Sequence, residues 1–278
     1  MTYPLKRTLP MLLVLPGTLI VLGFLVLPVL ATFSDTIGPA GQRLSLYTKF
    51  FGVSYNIVVL VRSLRIALIA TIISLCFGFC AATVISRSSG TYRQALLIAS
   101  VFPLLTGAIV RSFAWMVILG RNGVFNSSLM SLGLIDTPLP LLFTEGSLIV
   151  GLVYLFTPLA ILSLIGVIEV IDQSVIDAAT SLGASPFGVL RQVTLPLIAP
   201  GLLVGGVLVF TGSLAAFATG HLLGGEAETI LPTLLQDKAM VSFDWDAAGV
   251  IAVVMVAITF AVVLLGQYAA GRLNPAAG

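Results

Sequence analysis

Six long apolar runs, at about 9–33, 63–85, 94–119, 147–168, 199–219 and 247–270, constrain this chain more than any other feature. Each is about twenty residues or more, enough at 1.5 Å per residue to cross a hydrocarbon layer of roughly 30 Å as an α-helix. Hydrocarbon cannot hydrogen-bond a bare backbone, so only helices and closed barrels cross it. Barrel strands would be shorter and alternate in polarity, and these runs do not. Only 9% of the 278 residues are charged and 58% are hydrophobic, too little polar residue to clothe a water-soluble core of this length. The expected fold is therefore an all-α membrane protein of six transmembrane helices in one transmembrane domain, 1–278.

The first run follows Lys6 and Arg7, and Val29-Leu30-Ala31 loosely resembles a cleavage site. At roughly 25 residues, with prolines at 10, 16 and 28, it is too long for the apolar core of a signal peptide, and an uncleaved first span is expected. An even number of spans places both termini on one side. The short loop 86–93 carries Arg87 and Arg93 and no acid, which points that loop, and with it both termini, to the cytoplasm.

Several chemistries are disfavoured. A formal charge of +2 without a basic run gives no footprint for nucleic acid. His221 is the single histidine, and Cys76 and Cys80 lie inside an apolar run, so no metal site is expected. A hydrolase would need a nucleophile beside a base, and His221 has no Gly-x-Ser-x-Gly context. A secondary transporter would place carboxylates near the midplane, whereas none of the six runs contains Asp or Glu.

Between the fourth and fifth runs lies a polar stretch of about thirty residues, Glu169 to Gly201. Its pattern predicts two short helices and a tight turn. Ile171, Val175, Ile176 and Ala179 share one face at helical spacing. Gly183 is placed to end the first helix in a left-handed cap. Ser185 caps the second, with Pro186 at its first position. Phe187, Leu190 and Val193 continue an apolar stripe, and Pro196 is expected to stop the helix.

The run Asp177-Ala178-Ala179, three residues, Gly183, nine residues, Val193, one residue, Leu195-Pro196 resembles the signature loop of permease subunits in binding-protein-dependent ABC importers. The usual loop begins with Glu and has Ile before Leu-Pro, so Asp177 and Val193 are conservative departures. Arg111-Ser-Phe-Ala-Trp115, Leu119-Gly120, Gly123, Asn126, Pro138-Leu139 and Phe217 with Leu222 to Gly225 are similar to the branch importing spermidine and putrescine, whose relatives carry other small amine or opine-like solutes. The resemblance covers about 60–268.

The resemblance implies a multi-pass protein of the bacterial inner membrane whose cytoplasmic helix–turn–helix, about 169–198, docks on a partner ATPase dimer. It further implies a second permease, a different chain in polyamine-type systems, an external solute-binding protein, and ATP with Mg on the ATPase. No Gly-x-x-x-x-Gly-Lys-Ser/Thr loop occurs in the chain itself, so no phosphate-binding cofactor site is expected on it. Asp177 would orient the docking helix through a cap or a partner contact. Ala178 and Ala179 would permit close approach, Gly183 would make a turn that a β-carbon would not fit, and Leu195 and Pro196 would fix the join to the fifth span. Spans three to five would line the path, with Trp115, Tyr154 and Phe217 as candidates for holding an amine by cation–π contact. Arg111, a charge enclosed by apolar sequence, is either functional or snorkels to the headgroups. Because the runs lack acids, either other subunits select an amine or the solute is anionic or zwitterionic. Eight acids in the outer loops, Asp35, Asp136, Glu145, Glu226, Glu228, Asp237, Asp244 and Asp246, are candidates for docking the binding protein.

Overall fold

The computed structural model describes residues 14–37 and 44–273, and among them there are helices and turns but no strand. The beginning of the first expected span, 9–13, lies outside the described residues. Five helices are long and apolar enough to cross a membrane: α1 Val14–Ile37, α3 Ser54–Arg87, α7 Glu145–Glu169, α9 Pro186–Leu214 and α11 Trp245–Arg272. A sixth span is available if the helix pair Gly90–Leu105 and Ala108–Ser131 counts as one. Shorter helices complete the order: α2 Ser45–Gly52, α4 Gly90–Leu105, α5 Ala108–Leu119, α6 Val124–Ser131, α8 Gln173–Ser181 and α10 Leu231–Gln236.

Three boundaries differ from expectation, each for a local reason. The third run, 94–119, is not one straight helix. It breaks at Thr106 and Gly107, both extended (ψ 142° and 143°), and the pair turns by 98°. Pro103 inside α4 has no N–H to donate and crowds the preceding turn. Thr106 Oγ1 donates to the Pro103 carbonyl at 3.0 Å. The second helix starts at Ser54, well before 63, because 54–62 contains neither Gly nor Pro. The fifth does not stop at Pro196. It runs unbroken from Pro186 to Leu214 through a π-turn at Leu190–Thr194. Leu195 N–H donates to the Leu190 carbonyl, and the widened turn carries the chain to Pro196 with room for its ring. A second π-turn, Leu22–Val26, also ends two residues before a proline, Pro28.

The described residues form two compact units. The first comprises the chain up to Asn56 together with Leu235–Val254. In it the Thr36 hydroxyl, 3% exposed, pairs with Tyr47 at 2.8 Å, and Gly249 leaves space beside Thr36. Asn56 Nδ2 donates to the Phe50 carbonyl at 3.0 Å.

The second unit, Ile57–Leu234 and the chain from Met255, is built around α7. Thr144 and Ser147 form a reciprocal capping box at its start, satisfying end groups that would otherwise be orphaned. Ile66 and Ala70 of α3 pack with Leu148 and Leu152, and Ala82 and Ile85 with Ile161, Leu164 and Ile165, so α3 and α7 run parallel. Helix α9 runs antiparallel to α7. Gly201 sits against Val167 and the Ser163 carbonyl, Gly205 against Ser163, and Gly212 against Phe156. Asn126, fully buried, stitches the loop between the third and fourth spans by donating to the Gly120 and Leu139 carbonyls and accepting from Leu139 N–H at 2.9 Å.

At Gly78, an added β-carbon would lie 2.7 Å from Ala160 Cβ and 3.1 Å from its backbone carbonyl carbon, neither able to swing away, whereas Gly166 has nothing within 4 Å. Overpacking costs about 1–3 kcal/mol and outweighs the roughly 1 kcal/mol that Gly→Ala returns in a helix. Gly78→Ala is therefore expected to lower the apparent melting temperature of the purified protein in detergent, while Gly166→Ala leaves it equal or higher.

Candidate functional site

The polar stretch after α7 folds as a hairpin whose parts follow from its sequence. Asp172 caps α8, its Oδ1 accepting Ser174 N–H at 2.9 Å. That bond, first from backbone N–H and reinforced at the same residue, holds the Asp172 carboxyl below the ordinary carboxylate range. Helix α8 ends in a Schellman turn. Ala184 N–H donates to the Ala179 carbonyl at 3.1 Å and Gly183 N–H to that of Thr180 at 2.9 Å, with Gly183 at φ +86°. Ser185 Oγ then accepts Gly188 N–H at 3.2 Å, and Pro186 opens α9.

This geometry revises several assignments. Asp177 does not cap; it lies within α8 and accepts from Gln173 Nε2 at 3.2 Å, one turn away. The cap is Asp172, whose position before Gln173 could have revealed it. Nothing crowds a β-carbon at Gly183, so the positive φ, not space, demands glycine there. Ala178 is exposed and Ala179 half-buried. Val193 is half-buried in the π-turn, and Leu195 and Pro196 are exposed on the continuous helix. The expected stripe is also displaced: Val189 points inward at 8% exposure, while Phe187 is 71% exposed. With Val170 at 83% and Leu182 at 89%, Phe187 makes this polar hairpin carry some of the most exposed apolar side chains of the chain. Such exposed apolar groups on a polar segment make the hairpin a candidate docking surface. Behind the hairpin, a cleft of about 410 Å³ separates Ile176, Thr180 and Leu190 from Phe79, Thr83 and Arg87 of α3.

Of the four path candidates, two lie on α5 and two on elements packed against it. Arg111 and Trp115 lie one turn apart on it. Trp115 meets Tyr154 of α7 edge to face, ring centroids 5.7 Å apart. Phe217 begins the helical turn Phe217–Thr219, which packs on α5, and stacks on His221 at 5.6 Å. His221 was not among the candidates, and its spacing of four from Phe217 is the signal that was available. The Arg111 guanidinium donates to the Pro103 carbonyl, an acceptor freed by the break, so this arginine braces the bend between α4 and α5.

Both ends of α7 carry ion pairs that apolar patterning did not reveal. Arg93 holds Glu169 at the hairpin end, and Arg62 and Arg65 hold Glu145 at the other. Among the described residues, no group of His, Cys, Asp and Glu is placed to bind a metal.

The family model for binding-protein-dependent transport system inner membrane components matches residues 40–277. A spermidine/putrescine transport system permease protein of Haemophilus influenzae is 33% identical over 227 residues, 82% of this chain and 79% of that relative. The Escherichia coli protein of the same description is 30% identical, covering 82% of each chain. Among solved structures, a chain of a bacterial alginate ABC transporter in complex with an alginate-bound periplasmic protein superposes with a TM-score of 0.78 at 18% identity, over 96% of both chains.

Two outcomes test the hairpin. Gly183→Pro cannot adopt the positive φ and loses the bond to Thr180, so hydrogen exchange across 173–189 is expected to accelerate about tenfold or more, with Gly183→Ala intermediate. Because the Asp172 carboxyl titrates below its unfolded value, its cap is fully present above the ordinary carboxylate range and is lost as pH falls through the depressed value. Protection at the start of α8 is expected to fall below about pH 4 and to become pH-independent in Asp172→Asn, which caps without a charge.

Proposed function

From the premise that the chain belongs to the family of binding-protein-dependent transport system inner membrane components, we propose that it conducts a polyamine such as spermidine or putrescine across the bacterial inner membrane, driven by a separate ATPase. The observation that carries the coupling half of this reading is the hairpin. It presents Leu182 and Phe187 outward, is closed by a Schellman turn at Gly183, and leads without interruption into the spanning helix α9. A force applied to those side chains has a helical route to the seam between α9 and α7.

In this mechanism the hairpin seats in a groove of the ATPase dimer, which holds the ATP and Mg. Asp177, Ala178 and Ala179 face that groove, while Val193, Leu195 and Pro196 carry the motion through the π-turn. Closure of the ATPase draws the hairpins of two permeases together, this chain and a different partner chain, and the spans rock between inward- and outward-open arrangements. An external binding protein delivers the solute to the outer loops, and both termini lie in the cytoplasm. Trp115, Tyr154, Phe217 and His221 offer aromatic faces to a passing ammonium. Arg111, engaged with the Pro103 carbonyl, sets the bend of the wall they stand on.

One observation favours a second reading of the solute. The six apolar runs contain no carboxylate, which suits a zwitterionic or anionic solute as well as an amine selected elsewhere in the assembly.

The test is uptake of labelled spermidine by proteoliposomes containing the full assembly and its binding protein. Uptake is expected to require ATP, and Phe187→Asp is expected to reduce it at least tenfold while ATP hydrolysis loses its stimulation by solute. Uptake persisting without the ATPase would replace this reading with ion-gradient transport, and ATP-driven uptake of another solute alone would retain the importer and change its cargo.

A further inference from the structure

At the end of α7 remote from the hairpin, four charged side chains from three pieces of chain converge. Arg62 Nε lies 3.1 Å from Glu228 Oε2 and 3.7 Å from Glu145 Oε1, and Arg65 pairs with the same Glu145. The Arg62 guanidinium also donates to the carbonyls of Ala227 at 3.1 Å and Thr229 at 3.4 Å. One residue on, the buried Ser63 hydroxyl accepts Leu231 N–H at 2.8 Å. The other flank of the same stretch is held at Leu223, whose carbonyl accepts Phe143 N–H at 3.0 Å and the Ser147 hydroxyl at 2.9 Å.

These contacts do more than neutralise charge. From the π-turn Gly220–Gly224 to α10 at Leu231 the chain has no helix of its own, and Gly225 turns it at φ +59°. Its position depends on what grips it. The guanidinium donates to two carbonyls while its delocalised charge faces two carboxylates, an arrangement that the compact point charge of an ammonium does not reproduce. The side chains of Arg62, Glu145 and Glu228 are only 21%, 30% and 23% exposed, so removing Arg62 leaves Glu228 partly desolvated and without its ion-pair partner, while Glu145 keeps Arg65. The gripped stretch continues directly from Phe217 and His221, which stack beside α5.

We propose that Arg62 is a positioning residue for translocation: with Glu228 and Glu145 it clamps the 223–231 stretch, and thereby fixes the Phe217–His221 stack in the wall of the path. The consequence for transport rests on the importer reading; the clamp itself does not.

Ile230, which lies within this stretch and is 3% exposed in the core, is the reporter. In the assembled transporter with Cys76 and Cys80 exchanged for Ala, Ile230→Cys is allowed to react with a water-soluble maleimide. Arg62→Ala and Glu228→Ala are each expected to raise the labelling rate at least tenfold, and the double variant no further than either alone. Arg62→Lys, which keeps the charge and loses the fork, falls between, and it decides the matter if Arg62→Ala does not assemble. In proteoliposomes with labelled spermidine, Arg62→Ala is expected to raise the KM for uptake at least fivefold, with partial rescue by Lys. An unchanged labelling rate, or an additive rise in the double variant, overturns the clamp. Faster labelling with wild-type KM and maximal rate overturns its part in translocation. If the wild type takes up no spermidine, the solute reading fails, labelling still judges the clamp, and ATP hydrolysis stimulated by the binding protein replaces uptake as the functional readout.

Discussion

Close approach between α7 and α9 is the constraint on which the second unit depends. Lipid tails are as apolar as leucine, so helices in a bilayer gain little from hiding apolar surface and associate through packing contacts instead. Gly201, Gly205 and Gly212 supply that contact on α9 and Gly78 supplies it on α3, each facing an atom of α7 that a larger residue would strike. The result is a central helix gripped from two sides, by one parallel neighbour and one antiparallel neighbour. Polar residues complete it at the ends, where the capping box of Thr144 and Ser147 and the pairs to Glu145 and Glu169 satisfy groups that hydrocarbon would leave bare.

With α7 fixed in this way, the functional pieces inherit their places. Tyr154 reaches Trp115 from the buried helix, while the Phe217–Thr219 turn comes from the end of α9. The hairpin departs from the other end of both helices. The proposed docking surface and the proposed path are therefore joined by two helices that share one glycine seam, and neither can shift along that seam without meeting the other's side chains.

The membrane-spanning architecture was legible because hydropathy over twenty residues is a strong signal, and the hairpin was legible because Gly183, Ser185 and Pro186 each have narrow conformational uses. Local interruptions were less so. Pro103 lies in an apolar run and Pro196 just before one, and the helix breaks after the first but passes through the second. The difference lies in tertiary detail: a braced carbonyl at Pro103 and a π-turn before Pro196. Of the cap or partner contact expected for Asp177, the cap falls instead to Asp172, five residues earlier, since a resemblance in spacing says nothing of which acid caps a helix. Gly120, Gly123, Asn126 and Leu139, noted in the sequence as marks of a branch, form a stitched loop in the structure. At Gly123 a β-carbon would press within 2.5 Å of the Val117 and Ile118 carbonyls, so that motif has a structural reason independent of any solute. The charges at Arg62 and Glu228 are 166 positions apart, and no local pattern could have paired them.

The π-turn at Leu190–Thr194 has a geometric consequence for a helix that must satisfy two audiences. An α-helix advances about 100° per residue, so the azimuth of the hairpin would otherwise be locked to that of the glycines further along the same rod. One extra residue in a single turn re-indexes the two faces, letting Val189 turn inward while Gly201 and Gly205 stay against α7. The orientation of the proposed docking surface can thus be adjusted by inserting or removing one residue there, without redesigning the glycine seam.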